Sequence, residues 1–112
     1  MNKRIRKKKG LSKIKEEELW NLDCTIIKFI LPRLEKFKQM INEKGEIHGH
    51  PSNLKNMKEW IDILDKIIWS FQFAYDVVNW NYSNEYRSNE QNWNKYREGM
   101  DLFKEYLMNL WD

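Results

Sequence analysis

Apolar residues recur in three stretches of this chain at spacings of three and four, the period of one helix face. In the first stretch Ile26, Ile30, Leu34, Phe37 and Ile41 form the stripe. Asp23 is placed to cap it, with Leu22 and Ile27 as the apolar pair of a staple across the cap. Pro32 falls inside the pattern, removing one hydrogen bond and crowding the Lys28 carbonyl, so a kink near Phe29–Leu31 is expected. Gly45 closes the helix. The second stretch carries Trp60, Leu64, Ile67, Phe71, Ala74 and Val78, broadened by Ile61, Ile68 and Tyr75. A stripe this wide implies two packing neighbours. Asn56 followed by Glu59 has the capping-box spacing that opens this helix. In the third stretch Trp93, Tyr96, Met100, Phe103, Leu107 and Leu110 form a heptad-like seam, with Ser88 and Gln91 as its capping pair. Gly99 interrupts that helix at a cost of about 1 kcal/mol relative to Ala, which a close approach of another helix would explain.

Between these stretches the composition changes to that of turns. Glu46–Lys55 holds Gly49, Pro51 and Ser52, and Asn79–Arg87 is polar and rich in Asn and Tyr, read as a loop. Ser12 could cap a short helical lead-in over Lys13–Leu19. Gly and Pro are otherwise scarce, which argues against a sandwich or barrel with many tight turns. The 112 residues suffice for one domain. The expected fold is all-α: a three-helix bundle with a kinked first helix, a single helical domain over 16–112 and a flexible basic arm over 1–15.

Charge is unevenly distributed. Lys3, Arg4, Arg6, Lys7, Lys8, Lys9, Lys13 and Lys15 are met by no acid within the first fifteen residues, so a net charge of +3 leaves −5 on the rest. Such a block usually stays unstructured and often serves as an interaction arm. Lys3, Arg4, Arg6, Lys7, Lys8 and Lys9 are the candidates for binding a polyanion, non-specifically and with steep salt dependence. A solubilising tail is the alternative. No apolar run follows the arm, so it does not read as a secretory signal, and no segment approaches the ~18 apolar residues that would span a bilayer. The expectation is a soluble intracellular protein without a membrane association.

Six Trp, five Tyr and five Phe exceed what a three-helix core needs, so some should line a groove or a subunit contact. Trp80, Tyr82, Tyr86 and Arg87 lie outside any clear core face. They could build a nucleotide pocket by stacking and phosphate contacts, or simply cover the end of the bundle. Tyr106 and Trp111 flank the third seam and are the candidates for a homo-oligomer contact, Trp111 otherwise covering the bundle end.

Catalytic chemistry is poorly supported. His48 and His50 flank Gly49, but a zinc site needs three or four ligands and Cys24 is the sole thiol. Two turn histidines, one in a structural hydrogen bond, is the favoured reading. Cys24 sits at the start of an apolar helix without a Gly-rich elbow, and buried cysteines are inert. Asp62 and Asp65 share a helix edge and could act as a carboxylate pair, but a solvated edge with Asp65 paired to Arg33 or a lysine is favoured. There is no phosphate-binding Gly motif. No enzyme activity, cofactor or metal is expected.

The segment Phe29–Leu34 reads FILPRL, a turn with Gly49 and Pro51 follows, and then a capped helix carries Trp60, the ILDK run Ile63–Lys66, and Trp69 with Phe71. Over about residues 20–80 this pattern resembles a family of small uncharacterised proteins of tailed bacteriophages and prophages. The turn before Trp60 departs from it, carrying Lys55 and Lys58 where relatives tend to be acidic. The resemblance implies a phage origin and the cytoplasm of an infected bacterium, and no mechanism. Small phage proteins of this kind most often act by binding. The expected function is binding and inhibiting or titrating a host protein or defence component. The alternatives are an oligomeric sponge for a nucleotide immune signal and a nucleic-acid-binding accessory factor using the arm.

Overall fold

In the computed structural model the described residues are 11–44, 49–80 and 83–111, and their regular structure is entirely helical. Lys3, Arg4, Arg6, Lys7, Lys8, Lys9, Gly45, His48 and Tyr82, to which the sequence assigns roles, lie outside the described residues. Two short 3-10 turns, Leu11–Lys13 and Glu16–Leu19, precede helix α1, Leu22–Lys44. Ser12 lies inside the first turn rather than ahead of it. Asn21 joins the lead-in to α1 at φ 54°, a left-handed conformation that Asn tolerates better than most residues. Thr25 fixes this corner: its N–H donates to the Asn21 carbonyl and its hydroxyl to the Glu18 carbonyl. The helix therefore starts at Leu22, with Asp23 in its first turn.

Helix α1 continues through Pro32, which lies with Lys28 on the exposed side, where water can reach the Lys28 carbonyl that lacks its usual donor. Its buried residues are Ile27, Leu31, Leu34 and Ile41, with Ile30 and Phe37 half-buried. Ile26, expected on the buried stripe, is exposed. The sequence is apolar at 26, 27, 29, 30 and 31, so two stripes about a residue apart compete, and packing selects the one through Ile27 and Leu31.

Helix α2, Met57–Val78, is the centre of the fold and packs against both α1 and the last helix. Asn56 caps it, accepting from the Glu59 N–H at 3.0 Å, while Glu59 reaches back to the Lys55 N–H at 2.6 Å. Trp60, Leu64, Ile67 and Phe71 are buried as their spacing predicts. Ser70, Phe73 and Asp76 are buried as well, on the face turned to the last helix. The Asp76 carboxylate accepts from the Gln72 amide at 3.1 Å.

The segment 79–87, expected as a loop, contains a short helix α3, Asn84–Ser88, capped by Ser83. Ser88 ends α3, donating to the Asn84 carbonyl, and does not open the next helix. Asn89 caps that one, α4, Glu90–Tyr106, by accepting from the Asn92 N–H. Two α4 side chains hold the end of α3: Asn92 donates to the Tyr86 carbonyl at 3.0 Å and the Trp93 indole to the Arg87 carbonyl at 2.6 Å. A 3-10 turn, Leu107–Asn109, follows α4, so Leu107 leaves the expected seam and is exposed, while Tyr106 enters the core.

Gly99 fulfils the expected close approach. A methyl group built there would lie 1.8 Å from the Ser70 hydroxyl oxygen, 2.5 Å from the Lys66 carbonyl oxygen and 2.7 Å from the Ser70 Cβ. Only a residue without a side chain lets α4 lie this near α2. The Ser70 hydroxyl uses the proximity, donating toward the carbonyls of Tyr96 at 3.1 Å and Lys95 at 3.4 Å. Next to this contact, Phe73 meets Trp93 edge-on at 5.0 Å, with Tyr86, Tyr96 and a stacked Trp69 around it. Much of the aromatic complement is thus consumed in cementing α2 to α3 and α4.

Candidate interaction surfaces

Helix α2 ends at Val78, and the next two residues make the turn that presents Trp80. Asn79 accepts the role of cap, its N–H bonded to the Tyr75 carbonyl, and the Trp80 N–H donates to the Val77 carbonyl at 3.3 Å. Trp80 itself stands at φ 56°. This is the left-handed position that commonly ends a helix and that Gly, or sometimes Asn, normally fills. A bulky side chain there costs roughly 1–2 kcal/mol. The indole is nonetheless 72% exposed. The Arg87 guanidinium lies 4.0 Å from its ring centroid and is further oriented by the Asn84 side chain. The result is an exposed aromatic plane backed by an oriented cation at the end of α2.

Of the other candidates from this segment, Tyr86 is not part of an open platform. It is half-buried against Phe73, so its ring belongs to the packing of α3. Tyr106 is 5% exposed and tilted against Trp60 at 5.6 Å, and its hydroxyl accepts from the Asn53 amide at 2.9 Å. It is a core residue rather than one on the flank: as the last residue of α4 it lies seven positions, about two turns, after the buried Gly99 and so shares the face turned to α2. Trp111 is exposed and lines a cavity of about 230 Å³ with Ile41, His50, Pro51, Trp60 and Asn109. Gly49 shapes one side of that cavity at φ 69°. His50 bonds through Nδ1 to the Pro51 carbonyl at 2.9 Å, a structural role in the turn.

A further surface lies on α1, where Leu22, Ile26 and Phe29 are exposed together with Leu19 and Trp20 of the lead-in. Arg33 covers one side of Phe29, its guanidinium 3.9 Å from the ring centroid and bonded to the Phe29 carbonyl. Periodicity assigns Ile26 to the core and gives Phe29 no role. The legible signal was the doubled apolar stripe of α1, of which a single neighbour can cover only one.

The carboxylates read as a solvated edge behave as one. Asp65 pairs with Lys38 across the α1–α2 contact, and Lys66 pairs with Glu98 of α4 at 3.0 Å. Among the described residues no three His, Cys, Asp or Glu side chains come together as metal ligands, and no helix is long and apolar enough to cross a membrane. Compared with protein-family models, curated proteins and solved structures, the chain matches none.

Proposed function

We propose that this chain is a phage-encoded, non-enzymatic accessory protein that binds a host protein in the cytoplasm of the infected bacterium and inhibits or titrates it, a component of an antiviral defence system included. The observation that carries the binding reading is Trp80. The chain keeps one of its two most exposed tryptophans at a backbone position where glycine would be more stable, with Arg87 laid along the ring. Strain of this kind persists where something other than stability selects the residue. Trp and Arg are also the side chains that most often dominate the energy of a protein interface. The phage origin rests on the FILPRL and ILDK pattern described above.

A nucleotide ligand is the second reading. It is favoured by the same pair, since an aromatic plane beside a guanidinium suits a base and its phosphate. One capture experiment separates the two. Tagged protein expressed in the bacterial host is purified, and the eluate is assayed for stoichiometric protein and, after denaturation, for nucleotides. A stoichiometric protein that rebinds when purified supports the first reading. Nucleotide in its place supports the sponge. Neither at stoichiometric level contradicts both. We further read the three long helices as a three-helix bundle centred on α2, with α3 as an addition and α1 bent at Pro32.

A further inference from the structure

Helix α1 carries a second face that none of the described residues covers. Leu22, Ile26, Phe29, Arg33, Lys36 and Met40 follow one another at spacings of four and three, so they form one stripe opposite the buried one. Its first half is apolar and exposed, Phe29 being 61% exposed. Its second half begins with Arg33 and Lys36. Beside it runs a groove of about 220 Å³ lined by Phe29, Ile30, Leu34, Phe37 and Leu110, with Arg33 at its rim. The lead-in has the opposite order of chemistry. Glu16, Glu17 and Glu18 precede the exposed Leu19, Trp20 and Leu22.

We infer that this face pairs with a second copy of the chain, α1 lying antiparallel to its partner. A two-fold axis between Ile26 and Phe29 brings each Ile26 to the other copy's Phe29 and each Leu22 to the other copy's Arg33. At about 1.5 Å of rise per residue, the same register carries the lead-in of each copy toward the groove and the Lys36 end of the other. Carboxylates then meet Arg33 and Lys36 twice, and Leu19 and Trp20 meet the apolar groove twice, as a self-complementary interface requires. Leu19, Trp20, Leu22, Ile26 and Phe29 together expose on the order of 600 Å² per copy, near the roughly 800 Å² per partner of a standard interface. This contact is on the far side of α1 from the Tyr106 core and does not involve Trp80.

Light scattering coupled to size exclusion, on the full chain at micromolar concentration, tests it. The expected mass is twice the 13.9 kDa of the monomer. Phe29→Asp should raise the dimer dissociation constant by about tenfold or more, with unchanged circular dichroism because the residue is exposed. Arg33→Glu/Lys36→Glu should do the same, and adding Glu16→Lys/Glu17→Lys should restore association. In a Cys24→Ser background, Phe29→Cys should form a covalent dimer on mild oxidation, and Glu90→Cys should not. A monomer mass across the concentration range overturns the inference, whatever else covers the face. A dimer unaffected by Phe29→Asp and by the charge reversals also overturns it, since the contact would then lie elsewhere.

Discussion

Replacing Gly99 with Ala sets two well-characterised effects against each other. Helix propensity favours Ala by about 1 kcal/mol at a mid-helix position. The packing opposes it. The new methyl group would meet the Ser70 hydroxyl at 1.8 Å, the Lys66 carbonyl at 2.5 Å and the Ser70 Cβ at 2.7 Å, and two of these three are not the free ends of flexible chains. Rotating the hydroxyl away breaks its bonds to the Tyr96 and Lys95 carbonyls inside the structure, at about 1–3 kcal/mol. Separating α4 from α2 to clear the carbonyl adds an overpacking cost of about 1–3 kcal/mol. The net expectation is a loss of about 3 kcal/mol, read as a urea midpoint lower by about 1–2 M with unchanged slope. Ser70→Gly in the Gly99→Ala background removes both contacts with Ser70 but leaves the Lys66 carbonyl, so it should recover only part of the loss. A Gly99→Ala protein as stable as the parent, or more stable, would show that propensity alone governs the site and would refute the close approach.

Three other outcomes follow from the same packing. Phe71→Ala should cost about 3–5 kcal/mol, because Phe71 is buried among Leu31, Leu34 and Ile67 and edge-on to Phe103; a denaturation midpoint left in place would contradict the core described. Tyr106→Phe should cost about 1 kcal/mol by leaving the Asn53 amide without its acceptor, whereas Trp111→Ala should change the unfolding free energy by less than about 0.5 kcal/mol; equal effects would mean that Tyr106 is no more enclosed than Trp111. Deleting Met1–Lys9 should leave thermal stability unchanged, since the buried side chains described begin at Ile27, and should weaken polyanion binding and flatten its log–log salt slope; a large loss of stability on deletion would be the contrary result.

The helical class and the α2 core were legible because α2 has neighbours on two sides, so apolar residues adjoining Trp60, Leu64, Ile67 and Phe71, such as Ile61, Ile63 and Ile68, are half-buried beside them and widen the stripe instead of competing with it. In α1 the apolar residues come in neighbours, 26 with 27 and 29 through 31, and a stripe cannot be phased from its own sequence when two are present. The α3 region was illegible for a different reason. Its ordering depends on distant donors, the Trp93 indole and the Asn92 amide, which satisfy α3 carbonyls from the next helix. Tyr106 falls on the flank of a seam phased through Leu107, whereas the covered face of α4 runs through Gly99, Leu102, Phe103 and Tyr106, which also lie three and four apart. Trp80 and Arg87 were recognisable as residues outside any core face. The positive φ at Trp80 was not, because nothing in an Asn-Trp-Asn sequence announces a left-handed bulky residue.

The claim that Trp80 is kept for binding is tested most directly by Trp80→Gly, with melting temperature and affinity for the captured host protein measured on the same preparation. Glycine removes a strain of roughly 1–2 kcal/mol and gives up an exposed cation–π contact of about 0.5–1 kcal/mol, so the melting temperature should hold or rise. Affinity should fall by about tenfold or more, as for an interface residue that carries much of the binding energy. A protein that melts earlier and binds as tightly as the parent would make Trp80 a structural residue and contradict the proposed site.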